Sequence, residues 1–348
     1  FYILFVYGTM PGFGLSCLAM ERLVRYVEEG RGRDFWIGAA AVAAAVILKS
    51  NYEIVLVALF LYLASSGVFR RKARLLVAAV LLITVYVIGN RGIQTGISSV
   101  TGRTVSDGAP MIAWVQMGLE ESKRGPGWYN GYQVKLFQKA DGDADLAAAW
   151  AQADLRKTIS DMAEEPAKAA DFFVRKIESI WAEPTFQSLW IQEVGNTSWA
   201  EGSLPWELFK EEGGLNRLYV FAANLLQTFV YAMACVWVIA GMSAKGSRSK
   251  HVLMKRTWEK RIEAEKTVKA VKKQGMETVW ERQERGEPDR WGMLLPGIVF
   301  IGGFLFHLVW EAKGQYSVVY FMLLLPYAYL GMERVADVFL DVTGAGKE

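Results

Sequence analysis

The chain has 348 residues, 39 Lys and Arg against 36 Asp and Glu, and 52% hydrophobic residues. That composition excludes a disordered chain, and the length alone allows about two domains. Its two cysteines, Cys17 and Cys235, lie within apolar stretches and leave a disulfide framework or a zinc site unsupported.

Long apolar stretches alternate with blocks of dense charge, as in a membrane protein with sizeable extramembrane parts. The 13 Trp, 14 Tyr and 18 Phe suit interfacial belts. The sequence opens at Phe1 with no basic segment ahead of an apolar core. It is therefore read as a chain without its natural beginning, not as one with a signal peptide. A membrane helix needs about 20 mostly apolar residues. Segments 2–20, 75–90 with its flanks, 218–242, 292–310 and 316–335 qualify. Residues 35–66 would make a helix of roughly 48 Å, too long for one crossing. Their polar middle, Lys49-Ser50-Asn51-Tyr52-Glu53, would then lie at mid-bilayer. Two short helices, 35–48 and 54–66, joined by a polar turn, fit better.

Basic residues set the orientation. Arg22, Arg25, Arg31 and Arg33 precede the hairpin and Arg70, Arg71, Lys72 and Arg74 follow it, so both clusters belong to the cytoplasm. Residues 1–8 and 49–53, the long segment 91–216 and the turn 311–315 then share the outer face. Within the outer segment, 91–132 is rich in Gly and aromatic residues and reads as an irregular surface. Asp143 is the expected N-cap of a helix to about Met162, with Leu146, Trp150, Ala153 and Ile159 near one face. Pro166 opens a second helix whose stripe is Phe172, Phe173, Lys176, Ile177, Ile180 and Trp181. The predicted fold is an all-α polytopic membrane protein with about seven membrane helices, including one short hairpin, and a mostly helical extracytoplasmic domain. Its divisions are 1–90, 91–216, 217–242, a charged cytoplasmic insertion at 243–290, and 291–348. The insertion is basic and contains Trp258 and Trp280, but acidic residues interleave throughout and no nucleic-acid motif occurs, so a solvated helix is expected there.

Three polar runs at outer helix ends carry the chemistry. Tyr7-Gly8-Thr9-Met10-Pro11-Gly12 either exposes N–H groups to an anion or is a helix start with Pro in its first turn. In Lys49-Ser50-Asn51-Tyr52-Glu53 the two charges either pair and snorkel or line a recessed cavity. In Glu311-Ala312-Lys313-Gly314-Gln315-Tyr316, Lys313 offers a phosphate a point charge and Tyr316 suits the interface; the alternative is a structural turn. His307 reads as hydrogen-bonded packing, and no His cluster exists. Asn196-Thr197-Ser198 matches a glycosylation sequon.

These runs, together with Pro110 to Leu119, the Gly131-Tyr132 pair, and Phe172 to Ile177 with Trp181, occur in the order seen in a known group. The chain resembles the membrane glycosyltransferases of the C-type superfamily. Its nearest branch looks like the bacterial relatives of protein O-mannosyltransferases and the lipid A aminoarabinose transferase. The resemblance implies transfer of a sugar from a polyprenyl-phosphate carrier to an acceptor glycan, lipid or protein at the extracytoplasmic face of a bacterial plasma membrane. It implies a general-base Asp in an outer loop expected before Phe1, which would make this chain the C-terminal part. It further implies that Tyr7, Thr9, Lys49, Asn51 and Glu53 border the cavity. Lys313, Gln315 and Tyr316 would adjoin the carrier phosphate, and Trp114 and Tyr132 would stack on sugar or acceptor. The position of Thr9 is often acidic in the wider group, and Gln315 stands where many members carry Arg. The residues identify no cofactor, and a divalent cation is left as an open alternative. The rival classes are a transporter or flippase for lipid-linked saccharide and a membrane scaffold without activity. A flippase is expected to show interrupted helices in two repeated halves; one hairpin and no repeat are visible.

Overall fold

The computed structural model of the protein describes residues 8–103, 108–190, 198–243 and 290–343. Contacts divide the chain into two units, one of residues 1–228 with 290–324 and one of 229–289 with 325–348.

In the first unit, α1 (Thr9–Glu29) starts with Pro11 in its first turn, where a missing N–H costs least, and stops at Gly30 in the left-handed region. It therefore begins within the expected span 2–20 and runs past it; residues 1–7 lie outside the described residues. Ser16, Ala19, Leu23 and Val27 are buried along one face of α1, which packs chiefly on α2 (Gly32–Leu48). A 3-10 turn, Ser50–Tyr52, leads into α3 (Glu53–Phe69), the expected hairpin of two short helices. Asp34 at the base of α2 is fully buried and accepts from Arg22 at 3.0 Å and Arg31 at 2.8 Å. Two of the arginines that suggested a cytoplasmic face thus also neutralise a buried carboxylate.

Helix α4 (Ala73–Thr101) outruns the predicted 75–90. Residues 91–101, taken from their glycines as irregular, are helical. Ile93, Ile97 and Val100 prolong an exposed apolar stripe, and the helix ends only at left-handed Gly102.

The segment that follows is helical with one short hairpin: α5 (Met111–Gly118), β1 (Glu121–Ser122), β2 (Gly125–Pro126), α6 (Tyr132–Lys139), α7 (Ala144–Glu164) and α8 (Pro166–Trp181). Asp143 caps α7 as expected, accepting from the N–H groups of Asp145 and Leu146 at 3.0 Å. The expected face of α7 is corrected. Leu146, Ala153 and Ile159 are exposed and Trp150 is half-buried, whereas Ala147 and Ala151 form the buried contact. These small residues gather with Ala113, Leu136 and Ala140 in a cluster of their own, where short side chains let helices approach closely. On α8 the predicted stripe holds in part: Phe172, Lys176, Ile180 and Trp181 are buried, while Phe173 and Ile177 are half-buried. Helices α9 (Leu204–Phe209), α10 (Gly214–Ser243), α11 (Arg290–Val309) and α12 (Gly314–Thr343) complete the described chain.

Among the described residues five stretches are long and apolar enough to cross a membrane: Ser50–Phe69, Ala73–Thr101, Leu204–Met242, Gly292–Val309 and Gly314–Leu340. The seven expected from the sequence include two more, α1 and α2. Helix α1 carries Glu21, Arg22, Arg25, Glu28 and Glu29 along its second half, and α2 has only 17 residues. In the second unit the C-terminal halves of α10 and α12 meet, with the Trp237 and Tyr327 rings stacked at 4.8 Å. The charged insertion at 244–289 and Asn196-Thr197 of the sequon lie outside the described residues.

Candidate functional site

The three polar runs converge within the first unit. A cavity with about 420 Å³ of space unfilled by atoms, part of it open to solvent, lies where the start of α1, the α2–α3 turn, α11 and the start of α12 meet. Thr9, Ser16, Lys49, Asn51, Tyr52 and Tyr316 are among its polar lining; Phe13, Met20, Val55, Val299 and Leu323 are among its apolar walls. Gly12 makes the junction feasible, since a Cβ there would lie 2.2 Å from the Tyr52 ring. The Tyr52 hydroxyl donates to the Thr9 carbonyl, and the Lys49 ammonium donates to Thr9 Oγ1 at 2.9 Å. That ammonium also sits 4.7 Å from the centre of the Tyr316 ring. The Tyr316 hydroxyl donates to Glu311 Oε2 at 3.2 Å.

Burial pulls the Lys49 ammonium down to about 7, helped by the like charge of Lys313 and opposed by Glu311. Burial likewise lowers Lys313 and raises Glu311. The cavity end therefore holds two cations and one carboxylate whose charges depend on each other.

The turn between α11 and α12 is clamped from the segment ahead of it. Ala312 N–H donates to the Gly127 carbonyl at 2.8 Å, and Trp128 pairs with Ala312 in an isolated parallel bridge. Trp128 Nε1 in turn donates to Ser179 of α8 at 3.1 Å. Ser317 Oγ donates to the Ile180 carbonyl at 2.8 Å. Lys176, fully buried, donates to the carbonyls of Gly118, Leu308 (2.9 Å) and Trp310 (2.8 Å). It caps the end of α11 from a different helix.

Of the residues named from sequence, Thr9, Lys49, Asn51 and Tyr316 line the cavity. Lys313 stands beside it, 5.8 Å from the Tyr316 ring centre. Gln315 is buried next to it, with its side-chain oxygen unpartnered among the described residues. Three others are placed elsewhere. Glu53, expected to border the cavity, is instead exposed and accepts from the Tyr86 hydroxyl at 2.8 Å; the alternative pairing with Lys49 is not made either, since Lys49 donates to Thr9. Trp114 stacks on Trp310 at 6.1 Å, and the Tyr132 hydroxyl donates to Asp154 at 2.6 Å; neither faces the cavity. Tyr7 lies outside the described residues. His307 is buried with Nδ1 3.3 Å from the Glu311 carbonyl and its ring stacked on Tyr316, which is packing. Among the described residues no three His, Cys, Asp or Glu gather to hold a metal ion, so the divalent cation has no ligand set there.

Sequence reasoning missed Phe13, Val299, Tyr320 and Leu323 as cavity residues, and nothing local distinguishes them from ordinary helix packing. It did not assign Lys176 a role, although a lysine inside an apolar stripe was the signal available.

Comparison with protein-family models, curated proteins and solved structures gives no match. The class follows from the fold: an integral membrane protein of apolar helices with a helical segment between α4 and α10.

Proposed function

We propose that the protein is a glycosyltransferase that moves a sugar from a polyprenyl-phosphate carrier to an acceptor hydroxyl at the extracytoplasmic membrane face. The acceptor oxygen bonds to the anomeric carbon, the bond from that carbon to the carrier phosphate breaks, and the phosphate leaves with the electron pair. The hydroxyl proton passes to a base. In this reading α1 and α2 join the five long helices as short membrane elements, about seven in all, in a bacterial plasma membrane. Residues 91–216 and the turn 311–315 then lie outside.

One observation supports the reading above the rest. A mostly apolar cavity, walled by residues such as Phe13, Val55 and Leu323, carries the Lys49 ammonium in its lining. An alkyl chain with a phosphate head needs that combination. The cavity-lining cation is Lys49, so the carrier phosphate is assigned to Lys49 and Tyr316, with Lys313 beside them.

Binding of decaprenyl phosphate to the full chain in nanodiscs tests the site. Lys49→Gln removes a charge-assisted hydrogen bond and should weaken binding by about one to two decades. Lys49→Arg should retain it. The ammonium binds the anion, and its pKa is drawn down to about 7. Affinity should therefore be highest below pH 7 and fall as pH rises through it, and Lys49→Arg should flatten that slope. Binding indifferent to Lys49→Gln would remove the basis of the assignment. In proteoliposomes the transferase should move the sugar of a prenyl-phosphate glycoside to the hydroxyl of an added acceptor or to water, leaving prenyl phosphate; movement of the intact glycoside across the bilayer would make the protein a flippase instead.

A further inference from the structure

We propose that Lys313 and Arg124, gathered on the Trp190 ring, form a second anion subsite next to Lys49. It would take a further phosphate or similar oxyanion of the substrate pair, and the proposal rests on the prenyl-phosphate reading of the cavity.

Two aromatic rings link three cations into a track. Lys49 and Lys313 lie 4.7 and 5.8 Å from the Tyr316 ring centre. Lys313 and Arg124 lie 6.0 and 5.4 Å from the Trp190 ring centre. Exposure marks the direction: Lys49 and Lys313 are half-buried, whereas Arg124 and Trp190 are exposed. The track therefore runs from the cavity towards solvent.

Its charge is not balanced. Glu311 acts on both Lys49 and Lys313, but Lys313 also feels the like charge of Arg124. The nearby carboxylates are engaged elsewhere. Glu121 pairs with Arg175 at 2.5 Å, and Glu183 accepts from the Thr185 hydroxyl and the Gln187 N–H. Among the described residues the side chains of Lys313 and Arg124 make no hydrogen bond or ion pair, and a ring face holds a cation without consuming its N–H donors. Those donors suit an oxyanion, and guanidinium can bind phosphate through two of them.

The positions are also fixed relative to each other. Arg124 lies in the β1–β2 turn, where its N–H donates to Ser122 Oγ at 3.2 Å. The same hairpin leads into Gly127, whose carbonyl holds Ala312, the neighbour of Lys313. Like charges held together at a cavity mouth are costly until an anion joins them.

The second anion has two sources, a diphosphate on the carrier or an anionic group on the acceptor. The full chain in nanodiscs is titrated with decaprenyl phosphate, with decaprenyl diphosphate, and with inorganic phosphate after saturation by decaprenyl phosphate. If the anion belongs to the carrier, the diphosphate binds about tenfold tighter than the monophosphate, and Arg124→Gln abolishes that advantage. If it belongs to the acceptor, the two lipids bind alike, while inorganic phosphate binds the saturated protein and loses about tenfold in Arg124→Gln. In both cases Arg124→Gln leaves decaprenyl phosphate unchanged, which also shows that the variant folds. Arg124→Gln without effect on either the diphosphate or inorganic phosphate, or with equal losses for all three ligands, overturns the subsite. Failure of Lys49→Gln to weaken decaprenyl phosphate overturns the cavity reading instead, and the inorganic-phosphate arm still reports on Arg124 separately.

Discussion

Lys176 illustrates how one side chain can hold a site it does not enter. Its ammonium is fully buried and satisfied by three backbone carbonyls from two other segments. Burial draws its pKa down to about 7, yet three acceptors call for three N–H donors, which only the charged form has. Gly127 sits against it in the left-handed region, where a Cβ would lie 2.7 Å from the lysine stem. Lys176→Met keeps the stem and strips all three bonds. It should cost about 3–5 kcal/mol, the range for breaking a buried charged interaction, measured by denaturation in detergent. Unchanged stability would show that water can replace the ammonium. At this scale Lys49, Thr9, Asn51 and Tyr316 were legible because polar residues at helix ends stand out against apolar surroundings. Glu53 was not: one residue can face α1 and another α4 from the same turn, and spacing alone does not say which.

Among the elements, the α2–α3 hairpin was legible from its polar centre, and α7 and α8 from Asp143 and Pro166, since caps and helix-opening prolines act locally. The overrun of α4 was hidden because glycines lower helix propensity without forbidding a helix, and an apolar stripe outweighed them. The hairpin also sets the topology. From Ser50 to Phe69 the chain has 20 residues, about 30 Å as a helix, enough to cross the hydrocarbon core. Ser50 and Lys72, at opposite ends of that stretch, are both exposed. A cysteine replacing Ser50 should react with an impermeant thiol reagent from outside, and one replacing Lys72 only after permeabilisation. Labelling of both from one side would show that α3 does not cross.

Over the whole molecule, the 108–190 segment is joined to the membrane helices by the hydrogen bonds of Gly127, Lys176 and Ile180 and by large aromatic side chains. Trp181, at the end of α8, packs its ring 5.3 and 5.6 Å from Phe300 and Phe304 of α11 and 5.8 Å from Tyr320 of α12. Trp181→Ala should cost about 3–5 kcal/mol and make the segment sensitive to protease in the membrane-embedded protein. Persistent protection would place the main anchor elsewhere. The sequence by itself determined that the chain is helical and membrane-embedded, that a hairpin interrupts 35–66, and that polar groups cluster at helix ends. Those properties follow from hydropathy, length and caps, which operate within about twenty residues. Only the tertiary structure decided that Thr9, Lys49 and Tyr316 share one cavity, that Lys176 clamps the turn beside it, and that Trp114 and Tyr132 face elsewhere. Contacts between Thr9 and Lys49 or between Lys176 and Trp310 join residues 40 and 134 positions apart, and which faces meet there is settled by packing, not by local pattern.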